Sequence, residues 1–344
     1  MNQTPKQNKG CAWIFTFGLF AFVLSVLIMV VIGLEYLPSI VLAAVISFFI
    51  TQKILGKSDW ASLLKNIVSL FLIIVILRFA LITLFSILQS SIQEEQRFQI
   101  EEGVGISNIL EEGDTISVYS SHRVWKDNYG NDYNGNLTVR ERDFLRLYQS
   151  VDRFTLETPG NFWGKLYDYL ERNDSPSLDL VIKTFEQLQE EKHLNQMEFA
   201  EMIVSCVQDI PYSFVFQSEC LAPENYEEAI RSVLEVCPEC CIGNKTYGIQ
   251  NPVSFIQNLK GDCDTRTVLV FTLLKHFNYD VAILNSDFYL HSVIGINLPA
   301  SGSHKTHRGR NYYTWETTAK YYTIGELPVN FNDLTHWNVV LTSK

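Results

Sequence analysis

Apolar residues crowd the first part of the chain and then thin out, and the change in their spacing sets the expected organisation. Residues 11 to 33 (CAWIFTFGLFAFVLSVLIMVVIG) form an uncharged apolar run long enough to span a bilayer. A second run extends from about Leu37 to Ile54 and a third from about Leu63 to Leu88, which predicts three transmembrane helices within residues 1 to 90. The first run is too long for a signal-peptide core, lacks a small-residue cleavage site and is followed at once by another span, so it reads as a retained anchor.

From Gln89 the pattern changes. Residues 89 to 110 are polar and charged and read as a helical stalk. Residues 114 to 140 alternate apolar with polar positions around Asn-Tyr-Gly and Asn-Gly turn signals, the pattern of a small β-element. Trp125, Tyr129 and Tyr133 are expected on a packed hairpin face, with an aromatic ligand surface as the alternative. Residues 91 to 140 are thus stalk and β-element, and residues 141 to 344 the main soluble domain. That domain begins with helical spacing in RDFLRLYQSV, FWGKLYDYLER, LDLVIKTFEQLQEEKH and QMEFAEMIVSCVQDI. Asn195 is placed to cap the last of these, with Glu198 at the third position.

Charge adds an orientation. Lys6 and Lys9 precede the first span and Lys53, Lys57 and Lys65 lie around the second connection, whereas the first connection carries only Glu35. The positive-inside rule then predicts a cytoplasmic N-terminus and a soluble domain outside, the topology of an integral protein of a bacterial inner or plasma membrane in contact with lipid through its spans. Arg78, near the middle of the third run, is a pairing or signalling charge or a snorkelling one. The 344-residue chain carries a net charge of −11, so nucleic acid is not an expected partner.

The candidate chemistry lies late in the chain. Gly261-Asp262-Cys263-Asp264 opens an apolar helical run in which Val268, Leu269, Phe271, Leu274 and Phe277 mark the buried face. This places Cys263 in the first helical turn, where backbone amides lack intrahelical partners, with Asp262 and Asp264 as capping groups. Two strand-like segments follow, Leu290 to Leu298 and Asn311 to Thr318, joined by a polar loop. Pairing about the middle of that loop brings His291 opposite or diagonal to Glu316 and sends His304 and His307 to the far end. His336 is likewise a poorer base candidate. A thiol, an imidazole to take its proton and a carboxylate to orient the imidazole are the parts of a cysteine nucleophile. Gln208 is a candidate oxyanion donor, or a brace for the chain before Pro211.

Gly-Asp-Cys-Asp before a helix, a strand beginning at His291, and Trp315-Glu316-Thr317-Thr318 followed by Tyr322-Thr323-Ile324-Gly325 resemble the core of the transglutaminase-like superfamily of papain-type thiol enzymes. Val207-Gln208-Asp209-Ile210-Pro211-Tyr212 is similar to the segment that precedes this core in bacterial members. The resemblance covers roughly residues 180 to 328. It departs from the family in having Glu316 where Asp is more usual, and Ser292 and Val293 after the histidine where many relatives place an aromatic. It implies an α+β fold with a helical N-terminal part and an antiparallel sheet. Cys263 is then the nucleophile, His291 the base and Glu316 the third member, without a cofactor.

Cys220, Cys237, Cys240 and Cys241 cluster between the Tyr212 segment and the Cys263 helix. Outside the cytoplasm they can pair. Adjacent Cys240 and Cys241 rarely bond to each other, so bridges from them to Cys220 and Cys237 are favoured, and Cys237-Pro-Glu-Cys240 leaves a zinc site as the alternative. The expected activity is attack of Cys263 on an amide bond, giving a thioester resolved by water in a peptidase or amidase, the preferred reading, or by an amine in a cross-linking acyltransferase. A protein or peptide, with cell-wall peptide among the candidates, is the expected substrate. A non-catalytic binding or scaffold module at the membrane is the alternative function, and a redox or metal sensor built on the cysteine loop a third.

Overall fold

A computed structural model describes residues 10–32, 36–56, 78–79, 103–156 and 158–344. The chain forms two units, Met1–Ser91 and Ile92–Lys344. In the first, helices α1 (Gly10–Ile32) and α2 (Tyr36–Leu55) lie side by side, with Trp13 stacked on Phe17 at 5.7 Å and edge-on to Phe48 at 5.8 Å. Phe15, Phe22, Val41 and Phe49 point outward. Among the described residues one helix, not three, is long and apolar enough to cross a membrane, over Pro38–Leu55 with a mean hydropathy of 1.8. The apolar stretch of α1, Phe15–Ile28, is shorter. The third expected span lies outside the described residues except for Arg78 and Phe79, which are helical.

The second unit is α+β. It opens with an antiparallel sheet of three strands, β1 (Gly105–Glu111), β2 (Asp114–Lys126) and β3 (Asp132–Arg140). The expectation of a helical stalk is therefore corrected from Gly105 onward, while residues 89–102 lie outside the described ones. The reason is local: Glu112 at φ 52° and Gly113 at φ 95° form a two-residue turn whose left-handed geometry suits a tight hairpin, and β1 pairs with β2 through it. At the β2–β3 turn the Asp127 carboxylate accepts from the amides of Tyr129 and Asn131, the Asn131 side chain and the Tyr133 hydroxyl. Trp125 and Tyr133 are buried and stacked at 5.6 Å, as a packed face requires, whereas Tyr129 is exposed.

Four helices follow: α3 (Glu141–Leu147), α4 (Phe162–Asp174), α5 (Asp179–Lys192) and α6 (Gln196–Asp209). The capping box of α6 forms as expected, Asn195 accepting from the amides of Met197 and Glu198 while the Glu198 carboxylate takes the Asn195 amide. An excursion comes next. Short parallel strands β4 (Phe214–Val215) and β5 (Cys241–Ile242) flank helix α7 (Glu228–Val236), and disulfides Cys220–Cys241 and Cys237–Cys240 staple the segment. Helices α8 (Pro252–Asn258) and α9 (Cys263–His276) lead into the second sheet.

That sheet comprises β6 (Val281–Ser286), β7 (His291–Ile296), β8 (His304–His307), β9 (Arg310–Trp315) and β10 (Asn338–Thr342), in the order β10-β6-β7-β9-β8 with all neighbours antiparallel. Every residue of β6 and β7 is buried. One face packs on α9 through Ile283, Ile294 and Ile296. The other holds a small core of Ala282, Leu284, Val293, Tyr312 and Trp337 under the segment between β9 and β10. The segment read as a polar loop after Leu298 contains β8, folded back on β9 through Arg308 and Gly309, both in the left-handed region.

Candidate active site

The site forms where α9 starts against the first residues of β7. Helix α9 begins at Cys263 because Asp262, in extended conformation, caps it by accepting the Thr265 amide at 3.0 Å. The Ser292 amide lies close enough to the Cys263 sulfur to favour its ionised form. His291 immediately precedes that amide, so thiol and imidazole flank the same stretch of backbone. Thr267, one turn into α9, ties the junction by donating to the Ser292 carbonyl at 3.3 Å and meeting the Thr317 hydroxyl at 3.2 Å.

Sheet register delivers the carboxylate. β7 pairs with β9 through Ile294 with Trp315 and Ile296 with Tyr313, so Glu316, one residue beyond β9, falls diagonal to His291. His291 Nε2 and Glu316 Oε2 are 2.9 Å apart. Glu316 Oε1 accepts from the amides of Thr317 and Thr318, both at 2.9 Å, and from the Thr318 hydroxyl at 2.7 Å. Burial raises the Glu316 carboxyl, but these bonds and the histidine outweigh it and hold the group below the usual range. With Nε2 committed to the carboxylate, Nδ1 is the nitrogen left to face a thiol.

The electrostatics around the sulfur run the other way. Burial pushes the Cys263 thiol well above its ordinary value, and the Asp264 and Asp262 carboxylates add to the effect; the Ser292 amide opposes it. Asp262 is itself pushed up to about 7 by burial and by Asp264. Asp264 accepts from the Tyr167 hydroxyl at 2.6 Å, and Asn285 donates to the same hydroxyl at 3.2 Å. Cys263 is 6 % exposed and His291 8 %, so access is narrow.

Gln208 is buried, and its amide nitrogen donates to the carbonyls of Glu316 at 2.7 Å and Tyr322 at 2.9 Å. It braces the chain on either side of the Glu316 turn, and both of its amide hydrogens are used there. His304 and His307 lie in β8 on the edge of the sheet rather than in a loop. His336 sits nearer than expected, stacked on Phe288 at 3.9 Å beside the turn that leads into His291.

Three further residues shape the site without any signal in their spacing. Arg266 is fully buried and donates to the carbonyls of Gly261, Val207, Ile210 and Pro211 at 2.6–2.9 Å. It ties the end of α6 to the turn before Cys263, between the rings of Tyr212 and Phe255. Phe331 stacks on the His291 imidazole at 4.8 Å. Tyr167, on α4, reaches the Asp264 carboxylate. Cys206 is a free thiol in the core, pushed up to about 12 by burial, and contributes packing.

The weaker zinc expectation for Cys220, Cys237, Cys240 and Cys241 is corrected: all four are spent in disulfides, with Cys240 and Cys241 bridging to Cys237 and Cys220. Among the described residues no cluster of histidine, cysteine and carboxylate side chains is placed to hold a metal. No protein-family model matches the chain, and neither a curated protein nor a solved structure matches it, so the resemblance noted above rests on these residues and their arrangement alone.

Proposed function

We propose that the protein is a membrane-anchored cysteine enzyme of transglutaminase-like type that opens an amide bond through Cys263, His291 and Glu316. The observation that carries this reading is the His291–Glu316 bond at the start of β7, the strand on which the start of α9 is tied through Thr267 and the Ser292 carbonyl. The Cys263 proton passes to His291 Nδ1 as the sulfur attacks the carbonyl carbon, and Glu316 stabilises the resulting imidazolium. First-turn amides of α9, that of Cys263 among them, are the donors available to the oxyanion. The imidazolium then protonates the leaving nitrogen, and a thioester remains. Water, deprotonated by the same imidazole, attacks it and releases the acid with the thiol restored. Hydrolysis, by a peptidase or amidase, needs no second substrate.

A membrane anchor and an outward-facing soluble domain complete the reading, with a protein or peptide such as cell-wall peptide as substrate. Two disulfides in the soluble unit support an oxidising compartment. A second reading, a binding or scaffold module that has lost catalysis, draws on the raised Cys263 thiol and the narrow access to it.

One experiment separates the two. Iodoacetamide alkylation of Cys263 is followed against pH by peptide mapping in the full chain, beside His291→Ala. The enzyme predicts labelling that persists well below the ordinary thiol pKa and is lost in the variant. Slow labelling with an unperturbed profile in both proteins means that the imidazole does not activate the thiol, and leaves the scaffold.

A further inference from the structure

The turn that leads into His291 is built in a way that packing does not explain. Leu290, the residue before the imidazole, lies at φ 51°, a left-handed conformation that a branched side chain avoids, and its side chain is 84 % exposed. Phe288, two residues earlier, stacks one ring face on His336 and is still 68 % exposed. Across from them the short turn Val329–Phe331 lays Phe331 on the imidazole face and against Tyr289 at 5.5 Å, while Val329 stands 86 % exposed. Three large apolar side chains thus stand in water on the two turns that adjoin one catalytic candidate. An exposed leucine at a strained position carries a backbone cost that no burial of its own side chain offsets.

We propose that Phe288, Leu290 and Val329 form a subsite for an apolar side chain of a peptide substrate, next to the carbonyl that Cys263 attacks. The proposal rests on the catalytic reading above and names the substrate class for it. Continuity decides the occupant: Leu290 is joined to His291 by one peptide bond, and Phe331 already covers the imidazole with an aromatic ring. A chain entering the site displaces that ring and meets the apolar rim first. A charged side chain there would be desolvated without a partner, whereas a leucine or phenylalanine gains by burial.

The test uses dipeptidyl vinyl sulfones, which add the Cys263 sulfur to their β-carbon and a proton to the α-carbon without a leaving group. Leu or Phe is compared with Gly or Asp at the residue carrying the electrophile and at the one before it. The apolar members are expected to label Cys263 faster by about 10-fold or more. In the combined variant Phe288→Ser, Leu290→Asn, Val329→Ser the ratio falls to about 1 while the iodoacetamide rate is unchanged; asparagine keeps the left-handed turn, so the fold is spared. Equal rates across the panel, or a preference that survives in the variant, overturn the subsite. A His291-dependent iodoacetamide profile without any side-chain preference removes the subsite alone. A preference without His291 dependence removes the catalytic reading alone, and silence of Cys263 towards every reagent removes both.

Discussion

The start of helix α9 and the stapled excursion before it both carry cysteines, yet they use them in opposite ways. In the excursion, the Cα atoms of Cys220 and Cys241 lie 6.2 Å apart and those of Cys237 and Cys240 5.3 Å apart, within reach of a bridge. Each thiol is consumed by its neighbour, and the outcome is a covalent clamp on a segment with little regular structure. At α9 the thiol is buried with an amide, an imidazole one residue from that amide, and two carboxylates. A cysteine is free thiol or staple according to what the fold sets beside it, and here the two outcomes lie within a single unit of the chain.

The largest test of the contrast strikes the charge balance of the site. Glu316→Gln removes the carboxylate bonded to His291 Nε2, and His291-dependent alkylation of Cys263 should fall about 10- to 100-fold. An unchanged profile would mean that Glu316 only caps its own turn through Thr317 and Thr318. Arg266 is the tie between the two regions, since it joins the Gly261 turn to the carbonyls of Ile210 and Pro211, where the excursion begins. Arg266→Leu leaves four buried carbonyls without their donor, and unfolding in denaturant should show a loss of about 3–5 kcal/mol.

Next comes the staple itself. The Cys220–Cys241 bridge spans a sequence separation of 21, and replacing both cysteines by serine should cost about 3 kcal/mol by loop-closure entropy. The Cys263 alkylation rate should not move. If it does, the excursion positions the thiol and the two regions are one device.

The smallest effect concerns two buried carboxylates elsewhere in the same unit. Burial pushes Asp174 up to about 7, although Asn251 and the Val253 amide donate to it, and burial brings Glu201 up to about 7 as well. A carboxyl whose folded pKa lies above its unfolded one holds its proton longer in the fold. Its contribution to stability is complete below about pH 4 and is lost as pH rises to about 7. Asp174→Asn should flatten that part of the stability curve, raising stability at pH 8 relative to the parent by on the order of 2 kcal/mol. A parallel shift of the curve at all pH values would place the titrating group elsewhere.

Much of the site was legible before any coordinates. Cys263 at a capped helix start, His291 at a strand start and Glu316 diagonal to it all follow from periodicity, capping residues and the two-residue alternation of strands. The α6 capping box and the Trp125–Tyr133 packed face were equally local. Strands β6 and β10 were not, because β6 is buried on both faces and shows no alternation to distinguish it from a buried helix. The strand β1 hid in a polar stretch read as stalk, where only the Glu112–Gly113 turn marks the reversal.

By itself the sequence determined the inventory: an apolar N-terminal region, an acidic soluble region, and a thiol, an imidazole and a carboxylate in an order that one helix and one strand pair can bring together. These are short-range properties, set by spacing, propensity and charge. The tertiary structure alone decided how those groups are used. It gave both hydrogens of Gln208 to carbonyls, buried Arg266 among four carbonyl oxygens, and laid Phe331 on His291. Each of these joins residues far apart in the chain, and burial sets its sign: a donor, a charge or a ring acquires its role only when water is removed and a particular neighbour takes its place.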